Sequence, residues 1–170
     1  IAIFDETDHE VAHGTVGELV ARGPNVMRAY FRNARASAET LRNGWLHTGD
    51  LGYRDADGLV YLVDRKKDMI IRGGENIYST EVEQILMRHP AVAQAAVIGT
   101  PDPLFGEQVT AFIVPHAGAA PLTLAQIQSH CRGLLAGYKV PAALHVVDAM
   151  PSTATGKVQK GELRALAGSR

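Results

Sequence analysis

The chain has one cysteine, almost no net charge and no long apolar run, and each shortage excludes a class of protein. Cys131 is the only cysteine among 170 residues, so an internal disulfide cannot form. We expect a buried thiol and a reducing, cytoplasmic location. The formal charge is −1, and lysine and arginine are spread along the chain rather than clustered. This pattern predicts neither nucleic acid nor an anionic membrane as a partner.

No apolar stretch approaches the roughly 18 residues that a membrane-spanning helix needs. The first ten residues carry four acidic side chains, which is unlike a signal peptide. The sequence opens on Ile1 rather than methionine, and its first third contains few apolar residues. We therefore expect a piece of a longer polypeptide whose preceding segment is missing here.

The seven histidines do not form a metal-binding pattern. His9 and His13 are four residues apart, but they lie in an acidic stretch that does not have a helical pattern. The other histidines have neither helical spacing nor a neighbouring cysteine. We predict no metal site built from side chains of this chain.

The hydrophobic pattern changes near residue 68. Before it, segments 15–20 and 59–63 have the composition of short strands, and the first third is predicted to be all-β. After it, helix and strand patterns alternate over about one hundred residues, which predicts an α+β domain. Its apolar runs 92–98 and 109–114 are predicted to form the centre of the sheet, and 142–147 a further strand.

Two predicted helices begin at capping-box patterns. Thr80 and Glu83 form the first pattern, and the helix is expected to stop at Pro90. Thr123 and Gln126 form the second, followed by a helix that ends near Gly137. A short last helix is predicted from Leu163 and Leu166, and it is expected to fray at residues 169–170.

Three segments rich in glycine or charge lie between the apolar runs: 45–50, 64–78 and 151–160. In the last, Lys157 follows Gly156, and the simplest interpretation is a solvated surface lysine. A phosphate-binding P-loop does not fit. Pro151 stands where that motif has glycine, and Val158 stands where it has serine or threonine.

Taken together, these segments resemble the C-terminal part of the acyl-adenylate-forming enzymes, the AMP-forming acyl-CoA synthetase family. The stretch 17–25, which begins Gly-Glu-Leu, resembles the same family. The resemblance implies a small α+β C-terminal domain, with a mixed sheet flanked by helices, at residues 67–170. Residues 1–66 would be the β-rich end of the large adenylation domain.

The resemblance also implies roles for four residues in nucleotide chemistry. Lys157 would contact the substrate carboxylate and the α-phosphate of ATP, where a cation offsets the repulsion between two anions. Thr48 and Asp50, on either side of Gly49 in a predicted loop, would bind the nucleotide, with Asp50 accepting from the ribose hydroxyls. Arg65 would also contact the ribose. Without the resemblance, an Asx-turn or helix cap at Asp50 and a structural arginine at a strand end are the simpler interpretations.

A hinge and a site for coenzyme A are implied in the segment 64–78. Lys67 matches the charged hinge residue about which the small domain rotates. Gly73, Gly74, Glu75 and Asn76 match the loop that lines the tunnel for the pantetheine thiol. A solvated lysine and an ordinary tight turn are the alternatives that the residues alone leave open.

The activity implied is ligation of a carboxylic acid, with a fatty acid expected, to CoA through an acyl-AMP intermediate. ATP and CoA would be bound, and Mg²⁺ would arrive with ATP, held by phosphates and by residues that this chain lacks. This chain alone is expected to be inactive. Two alternatives stay open: an adenylation domain that loads a carrier-protein thiol, from whose usual pattern Asn76 departs, and a non-catalytic module that functions alone.

Overall fold

The computed structural model describes residues 1–168 and divides directly after Lys67 into two units. Unit 1 comprises residues 1–67, and unit 2 begins at Asp68. The expected fraying of the last helix falls on residues 169–170 and lies outside the described residues. The domain boundary inferred from the sequence, after residue 66, is one residue before this division.

Unit 1 contains an antiparallel sheet and one short helix. The strands are β1 (Ala2–Phe4), β2 (Gly17–Ala21), β3 (Leu41–Arg42), β4 (Trp45–Arg54) and β5 (Val60–Arg65), and the helix is α1 (Ala34–Thr40). The strand order is β1-β2-β4-β3, and β5 also pairs with β4. The prediction of an all-β first third is therefore wrong for α1, which Asn33 caps by accepting a hydrogen bond from the Ala36 backbone N–H.

The core of unit 1 is small. Ala2, Phe4 and Val20 are buried together, with the Trp45 ring packed edge-on against Phe4 at a centroid distance of 5.2 Å. On the outer strand β5, Leu62 is 66% exposed. So few buried apolar side chains agree with the low apolar content noted in the sequence.

Unit 2 contains a second five-stranded sheet and three helices. Its strands are β6 (Ile70–Arg72), β7 (Glu75–Ile77), β8 (Val92–Asp102), β9 (Gly106–Pro115) and β10 (Ala143–Val146). Its helices are α2 (Ser79–Leu86), α3 (Leu124–Cys131) and α4 (Lys160–Gly168). The central strand β9 pairs antiparallel with β8 and β6 and parallel with β10, so the sheet is mixed.

Helices cover both faces of this sheet. Alternation along β8 and β9 places Val97 and Ile113 in a cluster with residues of α2 and α3. Ile98 and Phe112 point to the other face and pack with Leu163 of α4. The predicted α+β class, a mixed sheet flanked by helices, is confirmed. Within residues 1–168, no helix is long and apolar enough to cross a membrane.

Some helix boundaries and caps differ from the predicted ones. The capping box at Thr123 and Gln126 is present, but α3 ends at Cys131 rather than near Gly137. The box predicted at Thr80 and Glu83 is wrong. The residue preceding α2 is Tyr78, which makes no side-chain capping bond, and Glu83 bonds elsewhere.

Candidate functional site

The segment 48–50 lies inside strand β4, not in the predicted loop. Gly49 has a positive φ of 72°, and the pairing of β2 with β4 shifts register beside it, so the strand bulges here. Thr48 Oγ1 donates to the Leu19 carbonyl at 2.7 Å and accepts from the Asp50 N–H at 3.1 Å. A strand interrupted by a bulge has the composition of a loop, which explains the wrong prediction.

Asp50 and Arg65 form an ion pair on adjacent strands. They are direct partners in the β4–β5 ladder, and Arg65 Nε lies 2.9 Å from Asp50 Oδ1. The Arg65 side chain is 54% exposed and that of Asp50 is 35% exposed. A carboxylate has acceptor capacity beyond one arginine contact, so Asp50 can still bind ligand hydroxyls. The structure thus brings the predicted ribose residues together.

Glu18 connects this segment to Lys66, which precedes the predicted hinge residue Lys67. The sequence did not single out Glu18 for any role. One carboxylate oxygen accepts from the Gly49 N–H at 3.1 Å, and the other lies 3.1 Å from Lys66 Nζ. His47 Nδ1 lies 3.3 Å from the second oxygen. Burial opposes ionisation of Glu18, but the bonds from Lys66, His47 and Gly49 outweigh it and lower its pKa. A charged residue inside an apolar strand pattern was the available signal.

Lys67 lies in a 3₁₀ turn, Lys66–Asp68, and is the last residue of unit 1. The side chains of its two neighbours, Lys66 and Asp68, contact residues of different units. Lys66 bonds Glu18 in unit 1, and the buried Asp68 accepts from Arg164 of unit 2 at 3.1 Å. The division between the units therefore falls directly after the predicted hinge residue.

Gly73 and Gly74 form the two-residue turn of the β6–β7 hairpin, and Glu75 and Asn76 are the first residues of β7. Both glycines have positive φ, 60° and 86°, as a type I′ turn requires. The Gly73 N–H donates to the Phe105 carbonyl at 2.8 Å. A Cβ built on Gly74 would meet nothing within 4 Å, so this turn is exposed and presents backbone alone.

Lys157 lies near the end of the exposed loop that leads into α4. The Thr153 N–H donates to the Lys157 carbonyl at 2.9 Å, and the Lys157 N–H donates to Thr153 Oγ1 at 3.2 Å. Gly156 supplies a positive φ of 82° at the tip. The base is closed by a bond from the Gln159 N–H to the Pro151 carbonyl at 2.8 Å. The loop is thus internally bonded while the Lys157 side chain stays exposed.

In the described part of the chain, no group of three or more His, Cys, Asp or Glu side chains could hold a metal ion. The expectation that Mg²⁺ arrives with ATP, held by phosphates and by residues that this chain lacks, stays a prediction.

Several known proteins are similar to this chain. Residues 81–157 match the AMP-binding enzyme C-terminal domain. A feruloyl-CoA synthase from Amycolatopsis sp is 48% identical over 154 residues, which are 91% of this chain and 31% of the relative. The chain is therefore similar to the acyl-adenylate-forming enzymes, and residues 81–157 match the C-terminal domain of that family.

Solved structures of this family superimpose on nearly the whole chain. An o-succinylbenzoate CoA synthetase from Bacillus subtilis, in complex with its acyl-adenylate intermediate, gives a TM-score of 0.87 at 40% identity and covers 96% of this chain and 33% of its own. An amide bond synthetase from Marinactinospora thermotolerans gives 0.88 at 38% identity, covering 98% and 33%. This chain therefore spans about a third of the length of these family members.

Proposed function

We propose that the chain is the C-terminal part of an ATP-dependent acid–CoA ligase that forms AMP. The observation that carries this proposal is the Asp50–Arg65 pair, at 2.9 Å, in a segment similar to a synthetase whose structure contains an acyl-adenylate. The pair offers a carboxylate and a guanidinium at one exposed edge. These groups suit the hydroxyls of a ribose.

In the first half-reaction, a carboxylate oxygen of the acid attacks the α-phosphorus of ATP. The new acyl-oxygen–phosphorus bond replaces the bond to pyrophosphate, which leaves with the electron pair. Lys157 would lie between the two anions and stabilise the charge that develops as they meet. Loss of such a group typically lowers the rate by roughly 100- to 1000-fold.

In the second half-reaction, the CoA sulfur attacks the acyl carbon after losing its proton. The carbon–sulfur bond forms, the carbon–oxygen bond to the phosphate breaks, and AMP leaves with that electron pair. The turn at Gly73 and Gly74, followed by Glu75 and Asn76, would line the path of the thiol. Two consecutive glycines leave room for a narrow chain.

Lys67 would be the hinge that lets unit 2 serve the two half-reactions in turn. Lys67→Pro tests this role, because proline fixes φ near −65°, a value that the 3₁₀ turn accommodates. One half-reaction should survive and the other should fail, when each is assayed separately in the full-length enzyme. Equal retention of both would remove the hinge from the proposal.

A Lys157→Ala variant tests the adenylation role. ATP–pyrophosphate exchange should fall by roughly 100-fold or more, because no cation would offset the repulsion between carboxylate and phosphate. Thioester formation from supplied acyl-adenylate should continue. Arg132→Ala removes another exposed cation of unit 2 and serves as the control. Undiminished exchange in Lys157→Ala would contradict the role.

A Gly74→Leu variant tests the thiol path. Acyl-AMP should still form, whereas transfer to CoA should fail because the side chain would occupy the path. Gly118→Leu is the matched control, since Gly118 has a φ of 77° and equally open surroundings in unit 2. Equal transfer rates in the two variants would show that Gly74 does not line the path.

Two finer points of the proposal are which acid is activated and which group accepts the acyl chain. Our sequence-based expectation is a fatty acid, but the relatives reported above are named for feruloyl and o-succinylbenzoate groups, which carry aromatic rings. Aromatic acids therefore belong in the same screen. Neither relative points to a carrier-protein thiol. The similarity to an amide bond synthetase makes an amine the second candidate acceptor, and product analysis with CoA or amine distinguishes them.

The mass of the natural polypeptide tests whether this chain is part of a complete enzyme. Antibodies or mass spectrometry against this sequence should detect a protein about three times its 18.2 kDa, given the share of the relatives that it covers. A natural product near 18.2 kDa would favour the non-catalytic module instead.

A further inference from the structure

Lys160, three residues after Lys157, is held in a different environment from its exposed neighbour. Its side chain is only 15% exposed, and Nζ lies 2.7 Å from both Ser79 Oγ and Glu83 Oε1. These two residues belong to α2, on another element of unit 2. An ammonium so enclosed is directed into the domain rather than toward a ligand.

The partners of Lys160 are themselves fixed. Ser79 is fully buried, and Glu83 also accepts a hydrogen bond from the Val97 backbone N–H at 2.8 Å. Strand β8, which contains Val97, is paired along its length with the central strand β9. Lys160 is thus bonded through charge-assisted contacts to α2, which Glu83 in turn connects to β8.

The contacts of Lys160 with Ser79 and Glu83 fix the position of the C-terminal end of the Lys157 loop. The loop base closes at Gln159, and Lys160 is the first residue of α4, so its side chain fixes the point from which the loop emerges. Farther along α4, Leu163 packs in the core and fixes the helix, not the loop end. From this arrangement we infer that Lys160 is a positioning residue for Lys157 in the first half-reaction.

The inference rests on the proposed function. Lys160 would affect the first half-reaction only by holding Lys157 in place. A misplacement of about 1 Å in a catalytic group can lower a rate on the order of 100-fold. Lys160→Met keeps much of the side-chain length but removes the ammonium. Exchange of pyrophosphate in the full-length enzyme should fall by this order, while thioester formation from supplied acyl-adenylate stays unchanged. The Gly73–Gly74 turn is held separately, by β6–β7 pairing and the Phe105 carbonyl.

A matched control is a lysine that pairs with another residue of α2. Lys139 Nζ lies 2.7 Å from Glu81 Oε2 of α2, its side chain is 17% exposed, and it follows α3 rather than the Lys157 loop. Lys139→Met removes a similar ion pair and should leave pyrophosphate exchange intact. Lys160→Arg keeps the charge and donors, and it should restore most of the exchange lost in Lys160→Met.

The outcomes separate the inference from the proposed function. If Lys157→Ala lowers exchange but Lys160→Met does not, the positioning role is wrong and the ligase proposal stands. If Lys157→Ala has no effect, the ligase assignment of that loop fails first. If Lys160→Met lowers both half-reactions equally, Lys160 serves only the fold. Should Lys160→Met not fold, Glu83→Gln weakens the same contact while keeping an acceptor for the Val97 N–H, and the same split must appear.

Discussion

The Asp50–Arg65 pair should matter far more for nucleotide binding than for stability. Both side chains are partly exposed, and exposed ion pairs contribute about 0–1 kcal/mol to folding. A hydrogen bond from a ligand hydroxyl to a carboxylate is worth roughly 1.5–3 kcal/mol, because its loss leaves a charged group without a partner. The prediction is therefore a variant that folds normally and binds ATP poorly.

Asp50→Asn is the sharpest perturbation because it keeps the side-chain shape and removes the charge. A loss of about 1.5–3 kcal/mol corresponds to roughly 10- to 150-fold weaker binding for each ribose hydroxyl concerned. We expect this weakening in the dissociation constant of ATP, measured by calorimetry on the full-length enzyme. The thermal midpoint should stay close to that of the unmodified protein.

Deoxy nucleotides identify the atoms involved. ATP lacking the 2′- or the 3′-hydroxyl should bind the unmodified enzyme more weakly than ATP does. In Asp50→Asn that difference should shrink, because the partner of the missing hydroxyl has itself been weakened. If the deoxy penalty is as large in Asp50→Asn as in the unmodified enzyme, Asp50 does not bind the ribose and the reasoning is refuted.

Arg35 supplies a matched ion pair for comparison. Its Nε lies 2.8 Å from Glu39 Oε1 on α1, with side chains 90% and 62% exposed. Arg35→Ala should change neither stability nor ATP binding. Arg65→Ala should leave stability similarly intact but weaken ATP binding. Equal behaviour of the two variants would make Arg65 an ordinary surface residue.

Three further predictions concern buried or half-buried groups. Glu18→Gln should raise the KM for ATP, because the amide keeps an acceptor for the Gly49 N–H but cannot pair with Lys66; unchanged kinetics would contradict this. Burial and the nearby His130 lower the pKa of His89 below its ordinary value of 6.5. The folded state therefore favours neutral His89, and its contribution to the free energy of unfolding should be lost as pH falls below about 6.5. Urea titrations should show a weaker acid dependence in His89→Gln, and an unaltered dependence would exclude His89. Burial also raises the pKa of the Cys131 thiol, so a thiol reagent should label it only after unfolding.

Apolar periodicity predicted the strands and helices of unit 2 more accurately than motif spacing predicted its polar contacts. The two continuous runs became β8 and β9, but only β9 is central. β8 is paired with β9 and no other described strand, so its prediction as a central strand is wrong. Val82 and Leu86 are fully buried on the predicted face of α2. These elements are determined by local composition and by burial of one face. α3 ended early because Arg132 leaves the helical conformation, and Leu134 is 51% exposed.

The sequence analysis failed for Glu83 and Glu18 for the same physical reason. Glu83 matches a local capping pattern, yet its carboxylate bonds Lys160, which is 77 positions away in the chain. Glu18 bonds Lys66, 48 positions away. A spacing rule considers neighbours within a turn, whereas a buried charge takes whichever distant partner satisfies it. Long-range ion pairs of this kind become visible only once the strands are placed.

The same long-range bonds give the hinge proposal a physical basis that the motif alone lacks. Lys66 is held to β2 through Glu18, and Asp68 is held to α4 through Arg164. A backbone rotation between the units would break neither bond if it occurred at Lys67, whereas rotation one residue to either side would strain one of them. Hinges are positions that absorb dihedral change between rigid bodies. If the units rotate as proposed, the two bonds favour Lys67 as the residue that absorbs the change. Two of the side chains that make these bonds, Glu18 and Arg164, lie outside the segment 64–78.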